Sequence, residues 1–142
     1  VLKIGKSSIF GKGCFTTTAL RKRKKFAEYA GELVRGQRNI ATRVIEQVKQ
    51  GVVKIVWIAE DVAIDGADRG NETAYVNHSC EPNAFARRAP GNRMLFFALR
   101  DIEAGEEITI DYIDPIHPTA EECRCGARAC SSTKNRRSKA KD

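Results

Sequence analysis

The stretch that decides the fold is Gly70-Asn71-Glu72-Thr73-Ala74-Tyr75-Val76-Asn77-His78-Ser79-Cys80, read together with Cys123-Arg124-Cys125-Gly126-Ala127-Arg128-Ala129-Cys130. The second run is a C-x-C-x4-C cluster, one ligand short of a tetrahedral zinc site. Cys80 completes the set if the chain folds back onto residues 77–80. The spacing therefore predicts a zinc ion held by Cys80, Cys123, Cys125 and Cys130. Four thiolates leave no open coordination position, so that ion is structural.

Outward from this pair, other motifs follow in order: Gly11-Lys12-Gly13, Glu28-Tyr29-Ala30-Gly31-Glu32, and Gly105-Glu106-Glu107-Ile108-Thr109-Ile110-Asp111-Tyr112. Gly-x-Gly alone carries little weight. Taken together and in this order, the motifs resemble those of the SET-domain protein lysine methyltransferases that carry a post-SET zinc motif. The resemblance implies a mainly β SET fold, with several small twisted sheets and a threaded, pseudoknot-like C-terminal segment. It implies a SET domain over residues 1–114, a post-SET zinc segment over 115–132, and a basic, disordered tail over 133–142.

The resemblance also implies an activity: methyl transfer from S-adenosyl-L-methionine to a lysine side-chain amine of a histone or another basic protein. Tyr112 matches the family's catalytic tyrosine, and Tyr29 a second tyrosine of the lysine channel. Asn77 and His78 match the pair that binds the cofactor, and Lys12 and Gly13 the loop that contacts it. Ile110 stands where a tyrosine restricts the product in the family, which implies di- or trimethyllysine here.

The chain departs from the family pattern in several places. Ala74-Tyr75 stands where many members have Arg-Phe before x-Asn-His-Ser-Cys, with Val76 at x. The middle strand reads Lys54-Ile55-Val56-Trp57-Ile58 where Tyr-x-Phe is common, and Trp57 is a candidate for the missing aromatic contact.

Composition bounds these readings. A chain of 142 residues with 42% hydrophobic residues is one domain with a real core. Its apolar runs, such as Met94 to Leu99, are too short to span a bilayer. Five cysteines, four with a metal explanation, fit a reducing intracellular compartment better than a disulfide framework. That compartment is nuclear if the source is eukaryotic and cytoplasmic if it is microbial. Cys14, the fifth, reads as a small core residue.

The formal charge is +7, to which Arg21–Lys25 contribute +5 and residues 134–142 contribute +4, leaving −2 elsewhere. A slightly acidic body suits a lysine-rich peptide such as a histone tail. The two basic tracts suit nucleic acid.

Periodicity gives short strands around Gly31, at Lys25 to Ala30 and Glu32 to Val34. Ile40, Val44, Ile45 and Val48 recur at helical spacing and predict a helix over Gln37 to Lys49, stopped by Gly51. Val52 to Ile58 is β-branched and reads as a strand. Ala84 to Arg88 and Arg93 to Leu99 flank the turn Pro90-Gly91-Asn92, and Ile108 to Ile110 is a last short strand. One helix without βαβ alternation excludes a doubly wound fold.

Two other function classes compete. One is a SET fold without activity that recruits partners, against which Tyr29, Asn77, His78 and Tyr112 argue. The other is a zinc-dependent nucleic-acid-binding protein, whose basic face would interleave aromatics; residues 123–142 contain none. A hydrolase using His78 and Cys80 lacks an evident orienting group.

Overall fold

A computed structural model describes residues 1–111. Tyr112, Cys123, Cys125, Cys130 and the segments 115–132 and 133–142 lie outside the described residues.

Among the described residues, ten strands form four small sheets, accompanied by one α-helix. Strands β1 (Leu2–Lys6) and β2 (Lys12–Thr16) pair antiparallel. A three-stranded antiparallel sheet has the order β3 (Lys25–Glu28), β9 (Arg93–Ala98), β8 (Ala84–Ala89). A second has the order β4 (Glu32–Arg35), β6 (Val62–Asp65), β5 (Ile55–Ala59). The two-residue strands β7 (Asn77–His78) and β10 (Thr109–Ile110) pair in parallel.

Helix α1 spans Gln37–Gln50. It ends where expected: Gly51 is left-handed, with φ 85°, and its N–H reaches the carbonyls of Gln47 and Val48. Its buried face differs from the expected one. Ile40 and Val44 pack inward, but Ile45 and Val48 are exposed and Gln47 is buried in their place. Gln47 is fully engaged there. Its Nε2 donates to Asp65 Oδ1 at 2.8 Å, and its Oε1 accepts from Lys54 N–H at 2.7 Å. Such satisfaction is what a buried amide requires.

Asp65 also accepts from Arg43, which bridges to Glu32. The network ties the helix to both edges of the β4–β6–β5 sheet. Gly31 enters this sheet where a Cβ would strike the Asp65 carbonyl, so no larger residue fits.

Strand β6 has no counterpart in the sequence reading. All four of its residues are buried, so it lacks the alternation that marks a half-exposed strand. Strands β1 and β2 were hidden by their Gly and Lys content, which is unfavourable to strand propensity. Strand β5 begins at Ile55 rather than Val52.

Three apolar clusters make the core. One joins Cys14, Val76, Ala84, Ala98, Ile102 and Ile108. The second joins Tyr29, Ile58, Val62, Ile64, Met94 and Phe96, and the third sits beneath α1. Cys14 is completely buried, as its sequence context suggested, and desolvation pushes its thiol pKa up to about 12. Trp57 packs against the third cluster; Val56, not Trp57, packs against the cluster that holds Tyr29 and Phe96.

Candidate active site

The site is built where four distant segments meet. Residues 105–110 run alongside β2 first. Gly105 N–H donates to Thr16 O, Thr16 N–H to Glu106 O, and Ile108 N–H to Cys14 O. The same segment then pairs with β7, Thr109 opposite Asn77 and Ile110 opposite His78, and Ser79 N–H donates to Ile110 O at 2.9 Å. The two signature motifs thus lie side by side, with the β8–β9 hairpin between them in sequence.

A polar tie fixes this junction to the β1–β2 loop. Asn77 Nδ2 lies 2.9–3.1 Å from Glu107 Oε2, Ser7 Oγ, and the carbonyls of Phe10 and Lys12. An amide has two N–H groups, so it serves these acceptors in subsets. Ser7 Oγ donates to Glu107 at 2.8–2.9 Å. Gly13 leaves room beside them for the Glu107 carboxylate, which a Cβ there would force to shift. The structure therefore brings together Lys12, Gly13, Asn77 and His78. Beside them stands Phe10, a residue that is 56% exposed.

Sequence reasoning missed the residue that locks the last strand. Asn83 is buried; its Nδ2 donates to Glu107 O at 2.8 Å and its Oδ1 accepts from Thr109 N–H at 2.9 Å. Its position in Glu81-Pro82-Asn83, just past the signature, was the available signal.

Tyr29 is buried against Phe96, and its hydroxyl donates to Lys54 O at 2.7 Å. Ile110 packs against both this cluster and the one around Cys14, where Tyr75 also sits. Lys54 Nζ lies 4.1 Å from the centre of the Tyr75 ring, a cation–π contact.

His78 is buried, with Nε2 3.1 Å from Cys80 Sγ. Its Nδ1 is 3.6 Å from Asp111 Oδ1, too far for a hydrogen bond. Asp111 thus stands near the place of the orienting group a hydrolase would need, without holding the ring. Cys80 is half-buried. The three cysteines expected to join it lie outside the described residues, and no group of three or more candidate ligands occurs among the described ones. The five side chains of Arg21–Lys25 are exposed.

The SET domain family matches residues 11–113. The chain is 38% identical over 134 residues to the Schizosaccharomyces pombe protein named histone-lysine N-methyltransferase, H3 lysine-4 specific, covering 91% of this chain and 14% of that protein. It is 33% identical to human histone-lysine N-methyltransferase 2B, covering 88% of this chain and 5% of that one. It is 35% identical to the Arabidopsis thaliana histone-lysine N-methyltransferase MEDEA, covering 77% and 16%. The chain thus spans a small part of the length of these relatives. Among solved structures, it is similar to ctPRC2 in an autoinhibited conformation bound to S-adenosylmethionine, with a TM-score of 0.73 and 27% identity, over 80% of this chain and 15% of that one. With its small antiparallel sheets and its parallel junction of Asn77–His78 with Thr109–Ile110, the chain belongs to the SET-domain family.

Proposed function

We propose that the chain is a protein-lysine N-methyltransferase that uses S-adenosyl-L-methionine, acting on a histone or another basic protein. The observation that carries this reading is the parallel junction of Asn77–His78 with Thr109–Ile110. It runs the chain toward Tyr112 past the pair assigned to the cofactor.

The sulfonium of S-adenosyl-L-methionine supplies a labile methyl group. The protein's tasks are then to orient, desolvate and deprotonate the amine. A free lysine amine has a pKa near ~10.4, and an apolar channel disfavours its ammonium form. Tyr29, buried and tethered to Lys54 O, serves as a fixed channel wall. The Tyr112 hydroxyl orients the amine lone pair toward the methyl group. Backbone groups of Asn77 and His78, with Lys12 and Gly13, hold the cofactor, and the exposed residue Phe10 beside them gives an adenosine a surface to cover. Ile110 has no hydroxyl to anchor a restricting water, which favours di- or trimethyllysine.

Zinc at Cys80, Cys123, Cys125 and Cys130 pins the C-terminal segment against the signature. Elemental analysis of active protein should find close to one zinc per chain, and active protein without it would refute this site. Exposed Arg21–Lys25, with residues 134–142, contact nucleic acid near the substrate. Chromatin in a nucleus is the matching location.

Labelled cofactor with a histone mixture tests the main reading. The wild-type chain should label histone. Tyr112→Phe should cut turnover by about 100-fold or more while cofactor binding changes little, because the hydroxyl acts mainly in the transition state. Wild-type turnover in Tyr112→Phe refutes the assignment. No labelling of any protein would favour the inactive binding module.

A further inference from the structure

The β3–β9–β8 sheet has two unlike faces. Met94, Phe96 and Ala98 point into the core. The other face carries a cross-strand row in which Lys25 pairs with Phe97 and Phe97 with Phe85. Directly opposed residues in an antiparallel sheet share a face. The rings of Phe85 and Phe97 are stacked, 5.3 Å apart at 15°, and both are half-buried. Arg87, two residues along β8 from Phe85, lies 5.5 Å and 5.8 Å from the two ring centres.

The basic tract leads into the row at Lys25. Arg23 N–H donates to Ala98 O, and Ala98 N–H to Lys24 O, so the tract is stitched to β9 beside Phe97. Among the described residues, none of Arg21–Lys25 or Arg87 forms an ion pair. The carboxylates nearby are engaged. Glu28 is held by both Arg93 nitrogens at 2.8 and 2.9 Å, and Asp101 accepts from Lys22 N–H. Lys25 also lies close enough to Glu28 to help lower its pKa, but Arg23, Lys24, Lys25, Arg87 and Arg93 outnumber Glu28 and Asp101, so a net positive charge surrounds the half-buried aromatic pair.

We propose that this outer face binds single-stranded nucleic acid, with Phe85 and Phe97 taking a base and Lys25 and Arg87 taking phosphates. A stacked pair with a guanidinium beside it accepts the π-face of any unpaired base, and cations beside it follow the backbone. A duplex keeps its bases stacked inside, so it can use the charges but not the rings. The inference deepens the nucleic-acid contact proposed above and rests on it. It is independent of methyl transfer.

Binding of labelled single-stranded RNA and DNA oligonucleotides, a duplex of equal length and a glutamate-rich peptide to the full chain tests this. Either single strand should bind more tightly than the duplex, and the peptide more weakly than both. Phe85→Leu keeps apolar bulk and removes the ring. It should weaken single-strand binding about fivefold or more, leave duplex binding unchanged, and retain a cooperative melt. The double variant Lys25→Gln, Arg87→Gln should weaken all nucleic acids and flatten the salt dependence.

Wild-type single-strand affinity in a folded Phe85→Leu overturns the proposal. If the double variant still weakens every nucleic acid in that case, the electrostatic contact stands without the stacking site. Tightest binding to the acidic peptide overturns it in favour of a protein partner. No binding to any nucleic acid removes both the stacking site and the contact beneath it.

Discussion

The helix unit, β4–α1–β5–β6, and the signature junction are held by the same kinds of bond at very different sequence distances. In the helix unit Gln47 reaches Lys54 and Asp65, and Arg43 reaches Glu32, all within 18 residues. At the junction Ser7 reaches Glu107 across 100 residues, and Asn77 reaches Ser7 across 70. Closing such long loops costs chain entropy that only simultaneous contacts can offset. The helix unit can therefore form locally, whereas the junction forms only when its distant segments meet. Damage to the first should be a packing loss, and damage to the second should spread to every segment it joins.

The largest expected effect tests the local side of that contrast. Ile40 is fully buried under α1. Ile40→Ala should destabilise the protein by about 2–5 kcal/mol through lost transfer energy and a residual cavity. The folded fraction should bind S-adenosyl-L-methionine with unchanged affinity, since Ile40 belongs to the third cluster, beneath α1. Denaturant unfolding and calorimetric titration measure the two quantities. A stability loss under 1 kcal/mol, or a tenfold loss of affinity in folded protein, would break the separation between the two regions.

Asn77→Ala tests the distant side and should cost less in stability. It removes the donor shared by Glu107, Ser7 Oγ and two carbonyls, but Ser7 still donates to Glu107. A loss of about 1–3 kcal/mol is expected. Unlike Ile40→Ala, it should also weaken cofactor binding at least tenfold in folded protein, because the loop 7–13 loses its anchor. Hydrogen exchange should rise both in residues 7–13 and in 105–110, though the two are far apart in sequence. Exchange that rises at residue 77 alone would show that the junction is not a unit.

The same contrast explains what could be read in advance. The helix was legible from the 3.6-residue recurrence of Ile40 and Val44 and from Gly51. Its exact buried face was not, because Gln47 is polar and is buried only by virtue of Asp65 and Lys54 N–H. The β8–β9 hairpin was legible from Pro90-Gly91-Asn92, and Gly91 and Asn92 do take positive φ. Strand β6 was not, since burial on both faces erases alternation. The junction was legible only as motifs. No period relates Ser7, Asn77 and Glu107, and the tie depends on three-dimensional closure. Asn83 escaped for the same reason: its role is to hydrogen-bond the backbone of a strand 26 residues away.

The smallest expected effect lies at the edge of the junction, and it sharpens the contrast by pH. Glu106 leads into the segment that pairs with β2, and its carboxylate accepts from Arg100 and from Glu103 N–H. The Arg100 hydrogen bond, followed by the backbone one, holds its pKa below the ordinary value of 4.5. A carboxyl whose folded pKa is depressed adds stability in full above its unfolded value. It loses that stability as pH falls through the folded value. The pair is partly exposed, so screening limits the gain to about 0.5 kcal/mol. Glu106→Gln should therefore lower stability by about that amount at pH 7. The gap to wild type should close as pH drops well below 4.5, where wild-type Glu106 is itself neutral. Added salt should shrink it at pH 7 as well. Thermal melts at the two pH values decide the point. A gap that persists unchanged in acid would assign the loss to packing or backbone geometry rather than to charge, and would make this edge of the junction resemble the helix unit.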